Sequence, residues 1–421
     1  MNTTSQDTDA LFRRIAWRLV PLILAMYIAA FLNRVNVGFA ALTMNKDLGF
    51  SPQVYGVGAG IFFWGYFLFE VPSNLIMEKV GARIWIARIM LTWGLVSMAT
   101  AFVGGQYSFY AMRFLLGLAE AVFYPGILLY FTYWFPAATR ARIISLFCMG
   151  IPLSNVLGSP LSGWLLGIEA AHLHGWQWMY ILEGIPTVLL GAACLMWLPD
   201  NPAKAKFLTP DEKDVVLARL AAEVKPAVHG LAQMFKDWRV WALIVPDFCI
   251  VFGIYALGLW MPTMVKAMGY SNLQTGFVVM VPYIASLGIV WAIGVSSDRT
   301  GRRELHFCIS AMLAAAGFAI AAIGGNDAIV ILGFCLASGG VYAGLATFWT
   351  VPPIFLGGAA AAGAFGLINS FGNLSGYYGP DMMGRLRVLT GDYKAGLWFC
   401  VAVPLVAALS MALLSKSLKP K

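Results

Sequence analysis

The chain has 421 residues, of which 60% are hydrophobic and only 11% charged, with a mean hydropathy of +0.76. A soluble globular domain carries about 25% charged residues, so this composition excludes a soluble globule and indicates a multi-pass membrane protein embedded in lipid. Its net charge of +8 therefore bears on topology, and no nucleic-acid partner is expected.

Residues 1–15 are polar and then basic at Arg13 and Arg14, and read as an N-terminal tail. The order polar, basic, apolar mimics a signal peptide, but no small-residue cleavage site follows, so the first apolar run is read as an uncleaved span. Apolar segments long enough to cross a bilayer fall at 16–40, 53–77, 84–103, 109–135, 143–167 and 178–198. Residues 199–239 form a charged linker, in which Thr209, Pro210, Asp211 and Glu212 spell a capping box with proline at the first helical position. Val215, Val216 and Leu220 continue an amphipathic pattern, so a short helix lying on the membrane face is expected there. Six more spans follow at 240–265, 273–297, 306–323, 328–355, 362–385 and 396–415, with a tail at 416–421.

The expected fold is thus an all-α membrane protein of about twelve helices, a bundle over 16–198 and a second over 240–415. Placing the N-terminus inside puts 21 of the 28 Lys and Arg residues on the cytoplasmic side, as cytoplasmic loops require. Both termini are expected in the cytoplasm, and the bilayer is expected to be the inner (plasma) membrane.

The segment from Phe109 to Phe135 carries two charges, Arg113 and Glu120. An ionised group at mid-bilayer costs about 2.5–3.5 kcal/mol on insertion scales, so such groups face a bundle interior or a wet cavity. Seven residues nearly complete two turns, which puts both on one helix face, about 10 Å apart along the axis. That face lines something polar: a structural ion pair with neighbouring helices or a functional site.

Six cysteines lie scattered in apolar segments with no CxxC pair, and His172, His174, His229 and His306 fall in or beside loops. Neither disulfides, a metal nor another cofactor is implied.

The turn after the second span reads Glu78, Lys79, Gly81, Arg83, and the turn after the eighth reads Asp298, Arg299, Gly301, Arg302, Arg303. Acid, base, glycine and arginine recur in register, so the chain is an internal repeat of two halves. Gly294 to Arg303 resembles the signature loop of the major facilitator superfamily, and the six-plus-six plan resembles it over the whole chain. Further stretches narrow the resemblance: Asn33-Arg34 with Asn36 and Gly38, Gly65-Tyr66 with Glu70 and Pro72, Arg113 with Glu120, Phe348-Trp349 with Pro352, and Asn369 with Asn373. Together they are similar to the anion:cation symporter family, whose members include sialin, vesicular glutamate transporters and bacterial permeases for galactonate, hexuronates, tartrate, phthalate and hydroxyphenylacetate.

The resemblance implies two pseudo-symmetric bundles, a central site, alternating access, and uptake of a small organic anion driven by the proton gradient. Arg34 and Arg113 resemble the paired cations that attract the substrate carboxylate, Glu120 the protonatable carboxylate of the fourth span, Tyr66 a cavity hydroxyl, and Asn369 a polar substrate contact from the opposite half. Glu78, Arg83, Asp298, Arg299 and Arg302 match the conformational gating loops. One departure concerns Asn33, since many bacterial relatives have a titratable aspartate immediately before the first-span arginine; Asn33 is retained as a substrate contact. Asp247 and Asp381 also depart from the pattern, and Asp381, four residues before Arg385, is expected to pair with it.

From the residues alone, arginine suits a carboxylate because its planar fork stays protonated and binds bidentately. A glutamate between burial and nearby arginines can titrate within a transport cycle. The expectation is that ionised Glu120 pairs with Arg34 or Arg113 in the empty carrier, and that protonation frees the arginine for substrate. Glu70 and Glu183 are expected to be structural hydrogen-bonding groups. Among aromatics, Trp349 leads as a mid-span substrate platform, followed by Tyr255 and Tyr283.

No Ser/His/Asp, HExxH or metal-ligand set appears, so an enzyme is disfavoured. A hydroxylated carboxylate such as a sugar acid or tartrate leads as cargo, with an aromatic acid beside it. Anion exchange and a non-transporting nutrient sensor are the alternatives, and a monomer is expected.

Overall fold

The computed structural model describes residues 5–222, 237–352 and 358–418. The first crossing is α1 (Ser5–Val35) followed almost without interruption by α2 (Val37–Asp47). It starts well inside the segment read as a tail, because Leu11, Phe12 and Ile15 put an apolar stripe on this extension and pack into the core. Then come α3 (Pro52–Val80) and α4 (Ala82–Ala99). Ser51 caps α3, accepting from the Val54 N–H at 3.2 Å with proline at the first position.

The fourth crossing is not the continuous helix that its hydropathy suggests. It consists of α5 (Gln106–Glu120) and α6 (Phe123–Trp134), broken immediately after Glu120. Pro125 is the physical reason: it has no N–H to give the Ala121 carbonyl one turn back, and its ring crowds that carbonyl. Ala121 turns extended (ψ 133°), Val122 takes φ +77°, and the freed carbonyl accepts from the Ser73 hydroxyl of α3 at 3.3 Å. A β-branched residue in that conformation costs about 1–3 kcal/mol.

α7 (Ala137–Cys148) and α8 (Gly150–Leu165) form the fifth crossing and α9 (Gly175–Trp197) the sixth. The linker helix α10 (Pro210–Ala221) carries the anticipated capping box, with the Thr209 hydroxyl on the Glu212 N–H at 3.3 Å and the Glu212 carboxylate on the Thr209 N–H at 3.0 Å. This stretch is fastened to the first half: Phe207 stacks on Trp134 at 6.0 Å, the Tyr130 hydroxyl donates to the Pro199 carbonyl at 2.7 Å, and Arg14 pairs with Glu212.

The second half comprises α11 (Trp238–Lys266), α12 (Asn272–Thr300), α13 (Arg303–Ile323), α14 (Asp327–Phe348), α15 (Gly358–Thr390) and α16 (Lys394–Leu418). Among the described residues, ten crossings are long and apolar enough to span a membrane. Together with α3 and α15, 29 and 33 residues long, they complete two sets of six.

Successive crossings alternate in direction, so the bundle has a linker end, where α3 finishes and α11 begins, and a far end. At the far end the halves meet backbone to backbone. A Cβ placed on Gly56 of α3 would lie 2.5 Å from the Pro380 carbonyl oxygen of α15, and one on Gly276 of α12 would lie 2.4 Å from the Ser159 carbonyl oxygen of α8. Tyr55 of α3 adds a 2.5 Å hydrogen bond to the Leu259 carbonyl of α11. Small residues permit such close helix approach in membranes, and here they close the far end.

Candidate functional site

Arg34 ends α1 at mid-bundle, and its guanidinium gathers the other site residues. Its Nε donates to Glu120 Oε1 at 2.8 Å and its Nη2 to the same oxygen, forming an ion pair between the first and fourth crossings. Its Nη1 crosses to the second half and donates to the Tyr255 hydroxyl of α11 at 2.9 Å, which in turn reaches Asn373 Oδ1 of α15 at 3.4 Å. The rings of Phe31, Phe62 and Tyr66 lie 5.4–5.6 Å from its Cζ, a cation–π setting that suits a partly desolvated guanidinium. The Arg34 side chain is 11% exposed and that of Glu120 1%. The arginine is therefore the more accessible member of the pair, and Glu120 Oε2, buried, has no hydrogen-bond partner.

Arg113 behaves differently from the pairing drawn from its spacing. It shares the α5 face with Glu120, yet its Nη2 donates to the Ala59 carbonyl of α3 at 3.1 Å, its Cζ lies 5.2 Å from the Phe62 ring, and Nε and Nη1 are buried without a partner. It is fully buried, so in this conformation it is closed off from a substrate and acts as a fixed positive charge behind Phe62. The break after Glu120 lets that side chain turn to Arg34.

A second cross-half contact lies beside the first: Glu70 of α3 accepts from the Ser370 hydroxyl at 2.6 Å and from Asn369 Nδ2 at 3.4 Å. The sequence pointed to Asn369, whereas Ser370 and Asn373 were missed as site residues; Asn369, Ser370 and Asn373 form an i, i+1, i+4 polar stripe on α15 that could have flagged them. Glu183 makes hydrogen bonds within the first half, accepting from Ser162 at 2.6 Å and Asn36 at 2.9 Å.

Two expectations are corrected. Asn33 faces away from Arg34: its amide donates to Thr187 at 2.7 Å and its carbonyl accepts from Ser97 at 2.7 Å, so its capacity is spent within the first half and it makes no opening for substrate. Trp349 is not at mid-span. It caps the linker end of α14 and packs edge-on against Phe348 at 5.2 Å and Phe365 at 5.6 Å. The helix ends at Phe348, earlier than the apolar run to 355 suggested.

The repeated loops are built differently. In the second half Asp298 pairs with Arg303 at 2.5 Å, Gly301 takes φ +67°, and Arg299 and Arg302 are exposed. In the first half Gly81 takes φ +97°, and the Arg83 N–H is held at 3.1 Å by Asp200 from the start of the linker; the side chain of Glu78 lies outside the described residues. At the far end Asp381 and Arg385 form the anticipated i, i+4 pair at 2.8 Å.

With this geometry in hand, comparison with known proteins places the chain. The model of the Major Facilitator Superfamily matches residues 23–380. The chain belongs to the Major Facilitator Superfamily. It is therefore a transporter and not an enzyme. Relatives of this superfamily protein include a putative tartrate transporter of Agrobacterium vitis, 47% identical over 411 residues covering 96% of this chain and 94% of the relative. A putative metabolite transport protein, NicT, of Pseudomonas putida is 44% identical over 398 residues, covering 93% of this chain and 91% of the relative. Among solved structures, an inward-facing, occupied bacterial homologue of the human lysosomal transporter Spinster superposes with a TM-score of 0.78 over 94% of this chain and 96% of its own, at 14% identity, which bears on the fold alone.

Proposed function

We propose that this superfamily transporter imports a small hydroxylated carboxylate, tartrate being the leading candidate, together with protons by alternating access. In this reading both termini and the linker face the cytoplasm, and the chain acts as a monomer in the inner membrane. The observation that carries it is the Arg34–Glu120 pair, set between two halves of which the second also grips Arg34 through Tyr255. The names of the Agrobacterium vitis relative and its fellow at 47% identity support the cargo class.

The coupling follows from charge. A buried ion pair is tolerated, whereas one left with a single member costs about 3–5 kcal/mol. The empty site, with Arg34 charged and Glu120 ionised, is neutral. Protonating Glu120 alone strands Arg34, and adding a carboxylate alone sets two anions against one guanidinium. Counting the one substrate carboxylate that Arg34 grips, only the site holding both that group and the proton is again neutral, so the halves reorient with both or neither; the second carboxylate of a dianion such as tartrate needs a counter-charge of its own. Arg34 suits the exchange of partners because its fork can hold a substrate carboxylate bidentately as it now holds Glu120.

The test is uptake of labelled L-tartrate into proteoliposomes under an inward proton gradient. Accumulation that collapses with a protonophore supports the reading. Uptake only against preloaded anion, indifferent to the gradient, establishes exchange and reduces Glu120 to a structural partner of Arg34.

A further inference from the structure

Asp247 of α11 is 1% exposed, and neither of its carboxyl oxygens has a hydrogen-bond partner. It abuts α15 where that helix has Gly372: a Cβ there would come within 1.9 Å of Asp247 Oδ2. The helix is thus hollowed to admit the carboxyl but supplies no donor. Gly372 immediately precedes Asn373, which accepts from Tyr255, and lies two residues after Ser370, which holds Glu70. The carboxyl therefore rests against the stretch of α15 that holds Tyr255, the second half's contact with Arg34, and that meets Glu70 of the first half.

A carboxylate buried without a donor or a cation is among the most expensive arrangements in a protein, and even its neutral acid goes without the hydrogen bonds that it would have in water. Packing alone gives no reason for an acid here. In a membrane interior such a residue is a candidate for function.

We propose that Asp247 is a second proton-binding site, housed in the second half, which loads and unloads once per cycle alongside Glu120. In the conformation seen here it holds the proton. When α15 shifts against α11 and the carboxyl meets water on the linker side, the O–H bond breaks and the proton passes to that water; the carboxylate is reprotonated from the far side once the halves have reoriented. The ionisable groups on the packed elements nearby are Cys249 and Tyr255 of α11 itself, Glu70 reaching α15 from α3, Tyr378 of α15, whose ring lies 6.0 Å from that of Phe248, and Tyr342 of α14; Cys400 of α16, beside Met383, and Asp381, Arg385 and Arg387 of α15 lie towards the far end. No described cation pairs with Asp247.

The inference rests on proton coupling as proposed above, and the test separates the two. The proton-to-tartrate ratio is read from the membrane potential at which net tartrate flux in proteoliposomes vanishes, for the wild type and for Asp247→Asn. The expected result is a ratio lower by one in the variant. An unchanged ratio in a coupled carrier overturns the role of Asp247 and leaves that of Glu120 standing, whereas a wild type that moves tartrate without protons overturns both. Should Asp247→Asn not fold, infrared pH-difference spectra of the wild type and Asp247→Glu decide: a carboxylic-acid C=O band that titrates and moves with the substitution supports the site, and its absence overturns it.

Discussion

Replacing Glu120 with Gln keeps the size of the side chain and removes its charge, which tests the coupling directly. In the structure Glu120 accepts from two of the three Arg34 guanidinium nitrogens on one oxygen, and the third, Nη1, donates to the Tyr255 hydroxyl. Glutamine can still accept a hydrogen bond, and Arg34 is 11% exposed, so the full penalty for stranding a buried charge does not apply. About 2–3 kcal/mol remains as the cost of the empty site, equivalent to a return step slowed about 30- to 150-fold. The loaded site, in which Glu120 is already neutral, keeps its balance. Gradient-driven accumulation of tartrate in proteoliposomes should therefore be lost, while tartrate counterflow, which never visits the empty form, remains measurable. The variant should also lose the pH dependence of uptake. Accumulation at the wild-type level with the wild-type pH profile in Glu120→Gln would refute the reasoning.

Arg34→Lys keeps the charge but replaces the fork by a point donor, so tartrate affinity should fall at least tenfold, about 1.4 kcal/mol, as read by the concentration dependence of counterflow. Gly56→Ala drives a methyl into the Pro380 carbonyl and should prise the far end apart; spin labels at the exposed Gln53 and Val388 should then report a longer distance population, and an unchanged distribution refutes the glycine seal. The linker dock should be acid-sensitive. Hydrogen bonding to the Thr209 N–H and the neighbouring Arg14 hold the Glu212 carboxyl below its ordinary value, so its contribution is present above the usual glutamate range of about 4.3 and is lost as pH falls below it. Because the pair lies at the surface, with Arg14 exposed and Glu212 only partly buried, that contribution is small, and proteolysis between α9 and α11 at descending pH should quicken in the wild type and be advanced to higher pH by Thr209→Ala.

Much of the plan was legible because lipid imposes simple rules. Twelve apolar runs, the capping box at Thr209 and the i, i+4 pair of Asp381 and Arg385 each depend on neighbours within a few residues. The repeat between Gly81 and Gly301 was visible for the same reason, since both turns need a positive φ. What failed depended on partners far along the chain. Asn33 looked like a substrate contact because it precedes Arg34, yet adjacent helical residues point about 100° apart, and Asn33 meets Ser97 and Thr187 instead. Arg113 and Glu120 do share a face, but Pro125 ends the helix between them and α6, and only the fold shows which of the two meets Arg34. Trp349 was misplaced because hydropathy continues past the end of α14 and does not record where hydrogen bonding stops. Asp247 was noticed as unusual, but its isolation became apparent only with Gly372 beside it.

The Arg34–Glu120 pair also determines how the carrier responds to voltage. A charge driven through the whole membrane field gains or loses about 2.3 kcal/mol per 100 mV. Because the pair has no net charge in the empty site, it adds nothing voltage-sensitive to the return. Summed over the whole cycle, voltage acts only on the charge of the anion less the protons that accompany it; a doubly charged cargo moving with two protons would be carried as freely in a depolarised cell as in an energised one, pulled by the pH difference alone.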